Sequence, residues 1–139
     1  MSYNDQNIFA KILRGDLPCI KVYEDDHTLA FMDIMPQAAG HTLVIPKAHA
    51  ETLLDLAPEA AAHLIQTVQK VAAAVKTAMQ TDGVVLMQLN GAAAGQTVPH
   101  IHFHVIAGSI MDLRNAHAQQ MGDQAQITAY AEKIRAALG

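Results

Sequence analysis

The amino-acid sequence predicts an α+β fold: an antiparallel sheet of about five strands with one long helix, a short N-terminal helix and a C-terminal helix. Three observations lead there. Short β-branched or alternating runs come in neighbouring pairs, at 19–23 with 28–34 and at 84–89 with 100–107. A single long amphipathic stretch, beginning at Pro58, lies between those pairs. The 139 residues are 51% apolar and 16% charged, enough for one hydrophobic core and too apolar for a disordered chain.

Each element follows from local pattern. Residues 4–14 place Ile8, Phe9, Ile12 and Leu13 on one helical face, and Gly15 is suited to stop that helix. Residues 19–23 alternate weakly, Glu24-Asp25-Asp26-His27 makes a polar turn, and 28–34 (TLAFMDI) returns as a strand, which predicts a hairpin. After a break at 36–40, residues 41–45 (HTLVI) form a β-branched strand stopped by Pro46. Pro58 opens the long helix, where it loses no needed N–H, and Glu59 suits the positive end of the helix dipole. Leu64, Val68, Val71, Val75 and Met79 mark its apolar stripe, and Gly83 is expected to end the connection. Residues 84–89 (VVLMQL) look like a buried strand, 90–95 (NGAAAG) a small-residue loop, and 100–107 a strand closed by Gly108. Ile127, Tyr130, Ile134 and Leu138 predict a last helix over 123–138.

Charge and composition narrow the function. Nine Lys+Arg against thirteen Asp+Glu leave a net charge of −4, which argues against non-specific binding to nucleic acid or an anionic membrane. No apolar run approaches the roughly 18–20 residues of a membrane helix, and residues 1–10 lack the pattern of a secretory signal. The lone cysteine, Cys19, cannot form an internal disulfide, so a cytoplasmic location is expected and Cys19 is expected to be a small buried apolar residue.

The most informative segment is His100-Ile101-His102-Phe103-His104-Val105-Ile106. A strand turns alternate side chains to opposite faces, so the three histidines share one face and Ile101, Phe103 and Val105 the other. The apolar face should bury against the long helix and the imidazoles should face a cleft. Solvated or core histidines are one explanation, but strict alternation of three is a poor fit to chance. A zinc site is a second, with His41 or His49 as further ligands. Nucleophilic catalysis by mutually polarised imidazoles is the third.

That segment, H-φ-H-φ-H-φ-φ, resembles the signature of the histidine triad (HIT) family of nucleotide hydrolases and transferases. Further stretches are similar to the same family: NIFAK from Asn7, Gly15-Asp16-Leu17-Pro18, VYEDD from Val22, AFMDIMP from Ala30, HTLVIP from His41 with Lys47 and His49, and GQTV from Gly95. The likeness covers about residues 7–108 of one HIT domain spanning 1–139. It is nearest in character to the short Hint-like bacterial branch, with Pro99 before the triad, and leaves 109–139 as a C-terminal extension expected to be helical.

The resemblance implies roles. His102 would attack the α-phosphate to form a nucleotidyl-histidine, with the backbone carbonyl of His100 holding its proton on the far nitrogen. His104 would contact the phosphate and assist the leaving group, and His41 would complete the arrangement. Asp33 would accept hydrogen bonds from the ribose hydroxyls. Asn90, Gln96 and Thr97 would contact the phosphates and leaving group, and Gly95 would let backbone N–H groups approach phosphate oxygens. Ile8, Phe9 and Ile34 would wall the base. Short members of the family are homodimers, so a homodimer is expected. Some members hold zinc through Cys-x-x-Cys and two histidines; Asn7 and Ala10 stand at the thiol positions while His49 and His100 remain, so no metal or other cofactor is expected. The extension does not resemble the Trp-Pro-Pro-Gly ending of animal phosphoramidases, so their substrate choice does not carry over.

The function expected is hydrolysis of purine nucleoside 5′-phosphoramidates or aminoacyl-adenylate-like compounds, releasing the nucleoside monophosphate. The alternatives are a dinucleoside polyphosphate hydrolase and a non-catalytic nucleotide-binding or scaffold protein.

Overall fold

The computed structural model describes residues 3–113 and 121–139. In chain order it contains α1 (Ile8–Leu13), β1 (Lys21–Glu24), β2 (Thr28–Met32), β3 (Thr42–Pro46), α2 (Pro58–Met79), β4 (Val84–Met87), β5 (Phe103–Ala107) and α3 (Gln124–Leu138). The five strands form one sheet in the order β1-β2-β3-β5-β4, antiparallel at every pairing. This is the α+β arrangement that the strand pairs predicted. The part of the expected C-terminal extension at 114–120 lies outside the described residues; α3 accounts for its end.

Local chemistry explains the boundaries. Asn7 Oδ1 accepts from Ala10 N at 2.9 Å and caps α1. Gly15, at φ +85°, ends it: Gly15 N–H bonds Ile12 O and Asp16 N–H bonds Lys11 O, the paired closure that a left-handed residue permits. Between β1 and β2, Asp25 Oδ1 accepts from the backbone N–H groups of His27 and Thr28, both at 2.8 Å. Asp123 caps α3 through Ala125 N.

The sheet is covered on both faces, so β2 and β3 are buried at every position. On one face Ala30, Met32, Val44 and Val105 pack against Leu64, Val68, Val71 and Val75 of α2 and Ile127, Ala131 and Ile134 of α3. On the other, Leu29, Phe31, Leu43 and Ile45 pack with Phe9 of α1. His104 pairs with Leu43 across β3–β5 and shares its face, while Val105 faces α2.

Two expectations are corrected. The strand expected at 100–107 enters the ladder only at Phe103, because β3 pairs with Phe103, His104 and Val105 alone; before it, Ile101 N bonds Ala50 O. The strand at β4 is not buried: it is an edge strand, and Leu86 is 47% exposed. α2 stops at Gln80, in the left-handed conformation at φ 54°, with Thr81 N–H closing on Lys76 O. Gly83 ends the connection as expected, directly before β4, its carbonyl accepting from Gly108 N at 2.9 Å.

Candidate active site

On the α1 side of the sheet lies a cavity of about 420 Å³. Ile8, Phe9 and Ile12 of α1, Pro18 and Cys19 before β1, Phe31 of β2, Asp33 and Ile34 just after it, Leu43 of β3, and Thr97 and Val98 line it, with His41, His102 and His104. The walls are mainly apolar and the imidazoles supply the chemistry.

The protonation pattern can be read from the partners. His102 Nδ1 lies 2.7 Å from the His100 carbonyl, which can only accept, so Nδ1 carries a proton and the lone pair of the neutral ring is on Nε2. Gln37 N–H donates to His41 Nδ1 at 2.9 Å, so the proton of neutral His41 sits on Nε2, 3.0 Å from His104 Nδ1. That nitrogen of His104 accepts, which puts the proton of its neutral ring on Nε2. Burial, and secondarily the neighbouring His102, holds His41 down to about 4; burial likewise holds His100 at about 4, against the opposing pull of its bond to Pro46 O. Both rings are therefore neutral at pH 7. Phe9 meets the His102 ring edge-on, with centroids 4.9 Å apart and planes at 89°. Asp33 Oδ2 lies 3.5 Å from His41 Nε2, while its Oδ1 accepts from Met35 N.

Eight of the twelve candidate residues thus meet at or beside this cavity: His41, His102, His104, Asp33, Thr97, Ile8, Phe9 and Ile34. Four do not line it. His100 is fully buried behind it and reaches it only through its carbonyl. Asn90 Oδ1 is taken by Leu53 N at 2.9 Å and Gln88 Nε2 at 2.9 Å, and its Nδ2 donates to Gln88. Gln96 Nε2 spends its two protons on the carbonyls of Glu51 and Val98, while Oε1 accepts from Gly91 N. Gly95 turns the loop at φ +107°. In this structure the side chains of Asn90 and Gln96 brace the loop that carries Thr97. Cys19, expected to be a buried apolar residue, is only half-buried and lines the cavity. Sequence reasoning missed Gln37, whose contribution is a backbone N–H that no side-chain pattern betrays, and Tyr3, discussed below.

A model of the HIT domain matches residues 14–111. The chain belongs to the HIT family. Among HIT relatives, "Protein hit" of Bacillus subtilis is 46% identical over 99 residues, covering 71% of this chain and 68% of that one. "Adenosine 5'-monophosphoramidase hnt1" of Schizosaccharomyces pombe is 43% identical over 99 residues, covering 71% of each. A Hit-like protein from Bartonella henselae, described as involved in cell-cycle regulation, superposes with a TM-score of 0.91 at 47% identity over 99% of both chains. A zinc-bound histidine triad family protein from Mycobacterium smegmatis superposes at 0.82 with 36% identity, covering 96% of this chain and 93% of that one.

Among the described residues two places offer donors for such a metal, and neither fits. Asp33, His41 and His104 each offer a donor atom, all within 4.8 Å of one another. However, the Gln37 N–H on His41 Nδ1 keeps the proton on Nε2, the atom that would have to ligate. At the second place, Asn7 and Ala10 stand where thiols would, and the Tyr3 hydroxyl sits 2.5 Å from His100 Nδ1, the only ring nitrogen of His100 left by Pro46. No helix among the described residues is long and apolar enough to cross a membrane.

Proposed function

We propose that this HIT protein hydrolyses purine nucleoside 5′-phosphoramidates, releasing the nucleoside monophosphate by way of a nucleotidyl-His102 intermediate. The observation that carries the proposal is the 2.7 Å bond from His102 Nδ1 to the His100 carbonyl, which puts the lone pair of the neutral ring on Nε2 in a residue that lines the cavity. The phosphoramidase name of the yeast relative supports the same leaving-group class.

The steps follow from the tautomers. The base enters between Ile8, Phe9 and Ile34, and Asp33 accepts from the ribose hydroxyls. His102 Nε2 attacks the α-phosphorus; the P–N bond breaks and the amine departs with a proton. His104, its Nε2–H set by the bond from His41, donates a hydrogen bond to the phosphate, and the amine leaves with the proton that the basic phosphoramidate nitrogen has taken from solvent. Water then attacks the nucleotidyl-histidine, freeing the monophosphate and the neutral imidazole, and its proton returns to solvent. Charge is handled by imidazoles and Thr97, with no metal in any step.

We also propose a homodimer, joined through β4. It is an edge strand of the sheet with a half-exposed Leu86, a ready template for a second copy.

The test is release of AMP from adenosine 5′-phosphoramidate with EDTA present. Wild type should turn over undiminished by the chelator, and His102→Ala should lose at least about 10³-fold in kcat. A variant as active as wild type would sink the nucleophile assignment. A wild type that binds AMP but releases none would favour a binding role.

A further inference from the structure

The residues ahead of α1 form a cluster that no step above uses. Tyr3 Oη lies 2.5 Å from His100 Nδ1, and Asn7 Nδ2 donates to that oxygen at 2.8 Å. On the other side of the His100 ring, Nε2 meets the Pro46 carbonyl at 2.9 Å. A carbonyl only accepts, so His100 Nε2 bears the proton and Nδ1 receives the one from Tyr3. Every proton in the chain thus has one direction: Asn7 to Tyr3, Tyr3 to His100, His100 to Pro46. Asn7 is itself pinned, because its Oδ1 caps α1 and its Nδ2 also donates to Asn4 O. The Tyr3 ring stacks on His49, with centroids 4.6 Å apart and planes at 17°.

We infer that Tyr3, oriented by Asn7, is a positioning residue that clamps the His100 ring and thereby the backbone carbonyl holding the His102 proton, doing with hydrogen bonds what a metal at the same place would do. The physical logic is preorganisation. His100 is fully buried, and a ring nitrogen left without its bond there would be costly and free to twist. A ring held at both nitrogens restrains residue 100 as a whole, and with it the carbonyl that selects the His102 tautomer. The part concerning turnover rests on the proposed nucleophile; the part concerning tautomers does not.

Tyr3→Phe keeps the stack on His49 and deletes only the hydroxyl. In long-range ¹H–¹⁵N NMR, wild type should show His100 protonated at Nε2 and His102 at Nδ1. In the variant the His100 Nδ1 resonance should move and His102 should become a tautomer mixture. For AMP release, kcat should fall about threefold to tenfold while KM stays within about twofold. Asn7→Asp keeps the cap for Ala10 but offers Tyr3 no donor, so it should reproduce both effects, and it carries the test if Tyr3→Phe folds poorly. Unchanged His102 tautomer and kcat in the folded variants would overturn the inference, as would a loss that tracks only the unfolded fraction. One tightly held zinc per wild-type chain by elemental analysis would also overturn it. A wild type without turnover would refute the proposed reaction while the NMR arm still decides the clamp.

Discussion

Lowering the pH from 7 to 5 protonates a histidine of the unfolded chain but leaves His41 and His100 neutral in the native protein. Both fall from the ordinary 6.5 to about 4, with burial as the leading cause. The unfolded state therefore binds protons that the folded state refuses, so stability is intact above 6.5 and is lost as pH falls toward 4. At pH 5 each ring should cost about 2 kcal/mol, and the pair about 4 kcal/mol, a large share of a typical domain's 5–15 kcal/mol. Asp25 is pushed up by burial but held down to about 2 by bonds from His27, Tyr23 and Thr28, so its contribution is lost only below 3.8. Urea unfolding followed by far-UV circular dichroism at pH 7 and pH 5 measures the difference, and His41→Gln should remove about half of the pH dependence. Equal stability of wild type at the two pH values would refute the burial argument. A variant with the full wild-type slope would show that His41 is not one of the groups responsible.

Two further outcomes test the scaffold. Gly40 has φ +77°, and a Cβ there would lie 2.7 Å from Cγ and Sδ of Met79, so Gly40→Ala should cost about 1–3 kcal/mol in a denaturant titration. No loss would mean that the turn before His41 is less constrained than its backbone implies. Leu86→Glu places a charge on the β4 edge and should convert a sedimenting dimer to monomer without lowering its melting temperature; a persisting dimer would move the interface elsewhere.

Much of the fold was legible because two periodicities dominate it. The spacing from Leu64 to Val75 predicted the face of α2 that the sheet buries, and all four of those residues are buried there. Gly15 predicted the end of α1 for a reason confined to one residue, its left-handed φ. Where the prediction failed, the deciding force was not local. Runs such as VVLMQL look the same in a central and an edge strand, and only the sheet order makes β4 an edge. Nothing in the sequence marks Gln80 as the residue that reaches the left-handed region and stops α2.

The site divides along the same line. The amino-acid sequence by itself determined that three imidazoles lie in alternation beside an apolar strand face, and through its motifs the HIT family, because residue type and spacing are properties of the chain. Tertiary structure alone decided what each imidazole can do. Proton placement on His41, His100, His102 and His104 depends on Gln37 N–H, Pro46 O, His100 O and Tyr3 Oη, and three of these four partners are backbone atoms, or nearly sequence-blind ones, while the fourth sits 97 residues from the ring it meets. It also withdrew Asn90 and Gln96 from the cavity, since their amides satisfy loop groups that become neighbours only when residues 51–53 fold against 88–98. A hydrogen bond needs a partner at about 3 Å, and a sequence specifies partners only after the chain has closed on itself.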